Sequence, residues 1–142
     1  MPGDDLIVGV VSEWVAKAES DLRTAALTLR AEKDCPTDTV CFHAQQCIEK
    51  YLKALLVLES TPFPKSHNLF EISKLLPDEW RPDLPLQVLE RLNKYATVTR
   101  YPGEYEDVTL EEARSAIAAA RRVRKGVRAI RPEKALRRRK RR

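Results

Sequence analysis

The apolar residues of this chain recur in steps of three and four, a spacing that places them on one face of a helix. No stretch alternates apolar and polar residues over a length that would predict a β-strand. The spacing predicts helices over about residues 10–32, 37–59, 68–76, 86–99 and 109–131. Four of these helices are long and are joined by modest loops. We therefore expect an all-α fold, an antiparallel up-and-down four-helix bundle with an extra short helix between the second and third helices.

Capping residues and a proline mark several of the predicted helix ends. Asn68 with Glu71, and Thr109 with Glu112, have the spacing of a capping box, in which the first side chain accepts a hydrogen bond from a backbone amide in the first helical turn. Pro102 disfavours helical geometry at the residue before it and limits the third long helix. These signals separate the short helix and the final helix from their neighbours.

Length and composition fit one globular domain. The chain has 142 residues, 43% of them apolar, which is enough to bury a core without disulfides or metal ions. No purely apolar run is longer than Ala54 to Leu58, which is far shorter than the roughly 20 residues that span a bilayer, so no membrane contact is expected. Asp4 and Asp5 precede the first basic residue, Lys17, whereas a secretory signal begins with positive charge. We therefore expect a cytoplasmic protein.

Positive charge is concentrated at the C-terminal end. Residues 131–142 contain eight basic residues and one acidic residue, so their net charge is +7 and that of residues 1–130 is −2. The sequence therefore predicts a helical bundle over residues 1–130 and a solvated, disordered basic tail over residues 131–142. Such a tail can bind RNA or an acidic partner through charge.

The three cysteines, Cys35, Cys41 and Cys47, are spaced six residues apart. An odd number cannot form a closed set of disulfides, and this spacing matches none of the usual zinc-binding patterns. We expect reduced thiols, no metal site and no cofactor.

Four blocks of the sequence resemble a known family. They are Trp14, Ala18, Asp21, Leu22 and Ala25 in the first helix, the run Cys41 to Leu56 in the second, Lys65 to Leu69 in the loop, and Tyr95 to Pro102 at the end of the third. In this order and spacing they resemble the HEPN (higher eukaryote and prokaryote nucleotide-binding) domain family over about residues 10–130. The most specific parts are the pattern Gln-Gln-x-x-Glu-Lys-x-x-Lys-Ala and the run Thr-Arg-Tyr-Pro.

The resemblance implies an up-and-down helical bundle that commonly dimerises and often pairs with a small nucleotidyltransferase in toxin–antitoxin systems. Some HEPN proteins cleave RNA with an arginine followed four to six residues later by a histidine. The only histidines here are His43 and His67, and the nearest arginine before His43 is Arg30, 13 residues earlier. The chain therefore resembles the branch that lacks this ribonuclease motif, and an enzymatic role is not favoured.

A row of polar residues follows neighbouring turns of the second helix: Gln45, Gln46, Glu49 and Lys53. The favoured interpretation is a hydrogen-bonded seam inside the bundle or at a dimer interface, because buried polar groups usually pair with each other. The HEPN resemblance implies an alternative, a nucleotide pocket with Lys53 on a phosphate and the glutamines on the base.

Arg100 and Tyr101, at the end of the third helix, are the other ligand-binding candidates. The charge of Arg100 suits the C-terminal end of a helix dipole, which is one interpretation of its position. The alternative is a guanidinium that binds a phosphate or a partner carboxylate, with Tyr101 stacked on a base. Asp21, a weaker candidate, is expected to pair with Lys50 or Arg100 because a carboxylate near a core needs a partner.

The two histidines carry less weight. His67 is a weaker candidate that we expect to act as a local hydrogen-bonding residue rather than as a catalyst. We expect His43 to face solvent on the outer side of the second helix. We assign no catalytic residue.

Three functional hypotheses follow. The preferred one is a nucleotide-binding and interaction module, a HEPN-type homodimer that pairs with a nucleotidyltransferase-like partner. The second is a ribonuclease or nucleotide-processing toxin that uses an unusual set such as Arg100, Tyr101 and His67. The third is an RNA-associated protein that acts through the basic tail. The first is preferred because the four blocks resemble the HEPN family but the sequence lacks the arginine and histidine of the ribonuclease motif.

Overall fold

The described residues form five helices in this computed structural model, which describes residues 2–96 and 107–130. The helices are α1 (Pro2–Leu29), α2 (Thr37–Leu58), α3 (Leu69–Lys74), α4 (Leu86–Asn93) and α5 (Leu110–Arg128). Short 3₁₀ turns lie at Glu32–Asp34, Asp78–Trp80 and Lys94–Ala96. Because the described residues contain no strand, the predicted all-α class is confirmed.

Both predicted capping residues hold the start of a helix. The Asn68 side chain accepts a hydrogen bond from the Glu71 backbone amide at 3.1 Å, so α3 begins at Leu69. The Thr109 hydroxyl accepts a hydrogen bond from the Glu112 amide at 3.0 Å at the start of α5. Each side chain satisfies an amide that has no partner within its own helix.

The first helix is longer at its N-terminal end than the pattern predicts. It begins at Pro2 rather than near residue 10, and it ends at Leu29. Proline is compatible with the first turn of a helix, where its missing amide is not needed. Ile7 and Val8 pack against the core, which compensates for the low helix propensity of Gly9.

The helix predicted over residues 86–99 begins at Leu86 as predicted, but its α-helical geometry ends at Asn93. α4 has only eight residues and passes into the 3₁₀ turn Lys94–Ala96, while residues 97–99 lie outside the described part of the chain. Tyr95 stays buried within this turn, so the apolar spacing continues although the backbone has tightened. The described bundle therefore has three long helices and two short ones.

α2 is the central helix. Fourteen of its 22 residues are buried, because the helix packs against α1, α3, α4 and α5. Asp21 of α1 contacts Lys50, whereas Trp14 contacts Phe63 just after α2, so α1 and α2 run in opposite directions. Polar side chains on α2 are consequently enclosed by neighbouring elements.

α5 runs alongside α2 in the same direction. The Thr37 hydroxyl donates to the Val108 carbonyl at 2.6 Å near the starts of the two helices, and Arg124 of α5 interacts with Tyr51 of α2 farther along both.

None of the described helices combines the length and apolar character needed to cross a bilayer.

Candidate functional site

Four polar side chains of α2, which we call the α2 polar row, form one hydrogen-bonded set: Gln45, Gln46, Glu49 and Lys53. Gln45, Glu49 and Lys53 stand one turn apart and are 0%, 3% and 7% exposed. The Gln45 amide donates to Glu49 Oε1 at 3.2 Å, and the Lys53 ammonium donates to Glu49 Oε2 at 3.0 Å. Half-buried Gln46 donates to Gln45 Oε1 at 2.7 Å. These bonds are what the seam interpretation predicts, since the buried groups partner each other.

His67 joins the α2 polar row from the loop that follows α2. Its Nδ1 lies 2.9 Å from Glu49 Oε1, and its backbone carbonyl accepts a hydrogen bond from the Gln45 amide at 3.1 Å. An ionised carboxylate only accepts hydrogen bonds, so Nδ1 carries a proton. The His67 side chain is 64% exposed, whereas that of Glu49 is 4% exposed. The row therefore reaches solvent at the His67 imidazole.

The end of α4 lies beside the same loop. Asn93 Oδ1 accepts a hydrogen bond from the Leu69 amide at 2.7 Å, and Asn93 Nδ2 donates to Asn68 Oδ1 at 3.1 Å. In the next turn the Tyr95 hydroxyl donates to Glu112 Oε2 at 2.8 Å. Burial, reinforced by this hydrogen bond, raises the pKa of Tyr95 above its ordinary value. The end of α4 and the exposed edge of the α2 polar row are thus neighbours.

Arg100 and Tyr101 lie outside the described residues, and so does the tail over residues 131–142. The roles predicted for them stay predictions. The described chain stops at Ala96, one residue beyond the Tyr95 anchor, and resumes at Asp107, next to the Val108 carbonyl that binds α2.

A second polar cluster joins α1 to α2. Asp21 accepts a hydrogen bond from the Lys50 ammonium at 2.5 Å, and its other oxygen lies 2.8 Å from His43 Nδ1. The predicted pairing of Asp21 with Lys50 is confirmed. The prediction that His43 faces solvent is wrong, because Asp21 on the neighbouring helix holds the ring, whose side chain is 27% exposed.

A third cluster, which sequence reasoning missed, joins α1, α2 and α5. Arg124 Nε lies 2.8 and 2.9 Å from the two carboxylate oxygens of Glu19, and the buried Tyr51 hydroxyl faces the same carboxylate without reaching full hydrogen-bond geometry. Burial alone would raise the pKa of Glu19, but Tyr51 and Arg124 together lower it below its ordinary value. The pair is separated by 105 residues, and no local spacing distinguishes Arg124 from the other basic residues of α5.

The cysteines are free thiols, with Cys41 and Cys47 buried and Cys35 half-buried. Burial raises the pKa of Cys41 and Cys47 to about 12, which suppresses the reactive thiolate form. Across residues 2–96 and 107–130, no group of three or more histidine, cysteine or acidic side chains could hold a metal ion.

Comparison with known proteins identifies the family. The family model described as HEPN domain matches residues 11–130. The chain belongs to the HEPN family. One curated relative of this HEPN chain is the protein of Methanocaldococcus jannaschii named "Putative toxin MJ1304", which is 28% identical over 127 residues, covering 78% of this chain and 80% of the relative.

Two solved structures are similar to this HEPN chain. The crystal structure of TT1696 from Thermus thermophilus matches with a TM-score of 0.67 and 26% identity, covering 84% of this chain and 96% of that one. The crystal structure of ST0689, an archaeal HEPN homologue, matches with a TM-score of 0.62 and 30% identity, covering 84% and 95% of the two chains. The HEPN resemblance stated from sequence is confirmed.

Each of the two histidines of this HEPN chain is held by a carboxylate. His43 lies within α2, where Asp21 holds its Nδ1, and His67 lies in the following loop, where Glu49 does the same. No arginine stands four to six residues before either of them. A carboxylate of α1 therefore orients the His43 imidazole, and a carboxylate of α2 orients the His67 imidazole.

Proposed function

We propose that this HEPN domain is a nucleotide-binding interaction module, a homodimer that pairs with a nucleotidyltransferase-like partner in a toxin–antitoxin-like system. The proposed ligand site is the exposed edge of the α2 polar row together with Arg100 and Tyr101. Family membership and the relative named as a toxin support the type of system.

The observation that carries the proposal is the exposed His67 imidazole fixed above the buried Glu49. Because Glu49 engages Nδ1, the Nε2 atom points away from the carboxylate and acts as an acceptor in the neutral ring. The neighbouring Gln46 uses one amide hydrogen on Gln45 and keeps its Oε1 for another partner. These two side chains offer the hydrogen-bonding groups that recognition of a base edge requires.

The phosphate contact is assigned first to Arg100, since a guanidinium binds phosphate oxygens in pairs. Lys53 is nearly enclosed and already bonded to Glu49, so it contributes positive charge behind the site rather than a freely moving contact. Tyr101 supplies an aromatic face for stacking on the base. In this proposal the buried part of the row is structural and its exposed edge binds the ligand.

The assembly part is tested with the full chain, whose monomer mass is 16.3 kDa. Light scattering during gel filtration should give about twice this mass, in keeping with the two-fold assemblies that dominate homo-oligomers. Co-expression with a nucleotidyltransferase encoded beside it should yield a complex that survives gel filtration. A monomer at all concentrations that also fails to retain such a partner would contradict the proposal.

The ligand part is tested by calorimetric titration of the full chain with ATP. Arg100→Gln should weaken binding by about 10- to 100-fold, the cost of one charged hydrogen-bonded contact. Arg91→Gln is the matched control, because this exposed α4 residue carries the same charge and lies nine positions away. Equal affinities for the two variants, or no heat at millimolar ATP, would reject the nucleotide site.

The hypothesis of a toxin enzyme using Arg100, Tyr101 and His67 stays a prediction and has a separate test. It predicts RNA cleavage that Arg100→Ala abolishes, and RNA left intact after long incubation with the unmodified chain would remove it. The cytoplasmic location inferred from the N-terminal charges likewise stays a prediction.

A further inference from the structure

Charge is divided unequally along the chain. Residues 1–112 contain 12 basic and 20 acidic residues, a net charge of −8, whereas residues 113–142 contain 14 basic residues and one acidic residue, a net charge of +13. The division falls inside α5, so the basic region includes a folded helix and not only the tail. An acidic body that carries one basic helix directs a polyanion to that helix.

The six basic residues of α5 fall into two groups. Arg122 and Arg124 are paired, with Asp83 at 3.2 Å and with Glu19 at 2.8 Å. The other four are exposed, and within the described part of the chain none forms an ion pair within 4 Å. We call these four the α5 basic stripe: Arg114, Arg121, Lys125 and Arg128. The paired arginines are engaged by acidic residues of the bundle, and the stripe leaves its charges to solvent.

The α5 basic stripe is continuous along the helix. At about 100° per residue its four members fall within an arc of roughly 60°, and Arg114 and Arg128 lie about 21 Å apart along the axis. The exposed residues beside this arc include the small side chains of Ala118 and Ala129. A long ligand can therefore lie close to the helix surface along the stripe.

The chemistry of the stripe favours a nucleic acid over a protein or a membrane. Protein interfaces have a core in which charged residues are depleted and aromatic residues are enriched, and no large apolar side chain interrupts these four cations. A membrane-surface helix needs exposed apolar anchors beside its basic residues, and these are absent from the stripe as well. Arginines spread along a line suit a string of phosphates, which they contact without base specificity.

We propose that the α5 basic stripe binds the sugar–phosphate backbone of a nucleic acid. The stripe is a folded, helix-borne surface flanked by the paired Arg122 and Arg124, and it is separate from the α2 polar row. It lies on α5, which directly precedes the basic residues 131–142 in the sequence, so both can contact one strand. Binding depends on counterion release and therefore weakens steeply with salt.

The test is fluorescence anisotropy of the full chain with a labelled single-stranded RNA of about 20 uridines and with a labelled DNA duplex of similar length. The stripe variant carries Arg121→Gln, Lys125→Gln and Arg128→Gln, and glutamine keeps the helix propensity of the exposed positions. The control variant carries Arg23→Gln, Arg30→Gln and Lys33→Gln, which are also exposed and change the net charge equally. A third variant replaces residues 137–142 with glutamine.

Loss of three phosphate contacts should reduce the slope of log affinity against log salt by about 2 for the single strand, and affinity by about 100-fold near 0.1 M salt. The control variant should bind nearly as the unmodified chain does. The tail variant should lose affinity while still responding to the three stripe substitutions.

Several outcomes would overturn the proposal. One is equal binding by the stripe and control variants, which would show that only net charge matters. Another is a tail variant that no longer responds to the stripe substitutions. A third is binding of polyglutamate in preference to either nucleic acid, which would indicate an acidic protein partner. Circular dichroism of each variant checks that the helices persist.

Discussion

Replacing Glu49 tests the α2 polar row most severely, because this carboxylate links Gln45 and Lys53 of the row to His67. Its side chain is 4% exposed and lies within hydrogen-bond distance of Lys53, His67 and Gln45, at 3.0, 2.9 and 3.2 Å. Glu49→Leu puts an apolar side chain of similar size in the same space, but it leaves the nearly enclosed Lys53 ammonium without its carboxylate partner. The expected result is a large loss of stability rather than a small one.

The magnitude follows from the difference between the two partners. Removing one side of a buried ion pair costs about 3–5 kcal/mol, and we expect Glu49→Leu to fall in this range. Lys53→Met should cost less, about 1.5–3 kcal/mol, because the carboxylate keeps its bonds to Gln45 and His67. The double variant should be more stable than the sum of the single changes predicts, since it leaves no unpaired charge.

Urea unfolding followed by far-ultraviolet circular dichroism measures these free energies of unfolding. The matched control is Glu13→Leu, which changes an exposed glutamate of α1 and should shift the free energy of unfolding by no more than about 0.5 kcal/mol. If Glu49→Leu cost less than about 1 kcal/mol, or less than Lys53→Met, the row would not be the closed set of bonds described above.

Two further predictions concern other clusters. Glu19→Gln should cost about 0.2–1 kcal/mol near neutral pH, because the Glu19–Arg124 pair is about one-third exposed. Folding lowers the pKa of Glu19, so the stability difference between the two proteins should be complete above the unfolded pKa of about 4.3. It should vanish as the pH falls through the pKa of Glu19 in the folded protein. A pH-independent difference in urea midpoints would contradict this. A disulfide reagent at pH 8 should label Cys35 in the native protein before Cys41 and Cys47, and three equally fast thiols would refute the assigned burial.

Helical periodicity predicted the α2 polar row because residues four apart on one helix are neighbours whatever surrounds them. Gln45, Glu49 and Lys53 follow this spacing, so their mutual bonds could be anticipated. The bond from His67 to Glu49 crosses a loop and 18 residues, and the pattern alone could not fix it. The sequence therefore identified the row and gave His67 as a weaker candidate, but it did not predict the bond between His67 and Glu49.

Contacts between helices explain most of what was missed. The helical pattern assigns His43 to the outer side of α2, but it does not specify that Asp21 of α1 stands opposite. The pairing of Glu19 with Arg124 depends on how α1 and α5 cross, which no spacing within either helix encodes. Each of these contacts follows from tertiary packing.

The change from α-helix to 3₁₀ turn after Asn93 was missed for a local reason. Apolar residues have nearly the same spacing in one turn of 3₁₀ helix as in one turn of α-helix. The position of Tyr95 in the apolar pattern therefore suggested that the α-helix continues. The predicted start of α1 failed for the opposite reason. The predicted start near residue 10 is too late, because the packing of Ile7 and Val8 against the core outweighs the low helix propensity of Gly9.

The measurement that tests the proposed ligand site most directly is a nuclear magnetic resonance titration of the isotope-labelled full chain with ATP. The account predicts saturable shifts of the His67 imidazole and the Gln46 side-chain amide, and these shifts exceed those of the backbone amides of Arg121 and Lys125. Unchanged His67 and Gln46 signals at millimolar ATP, or shifts confined to α5, would contradict it.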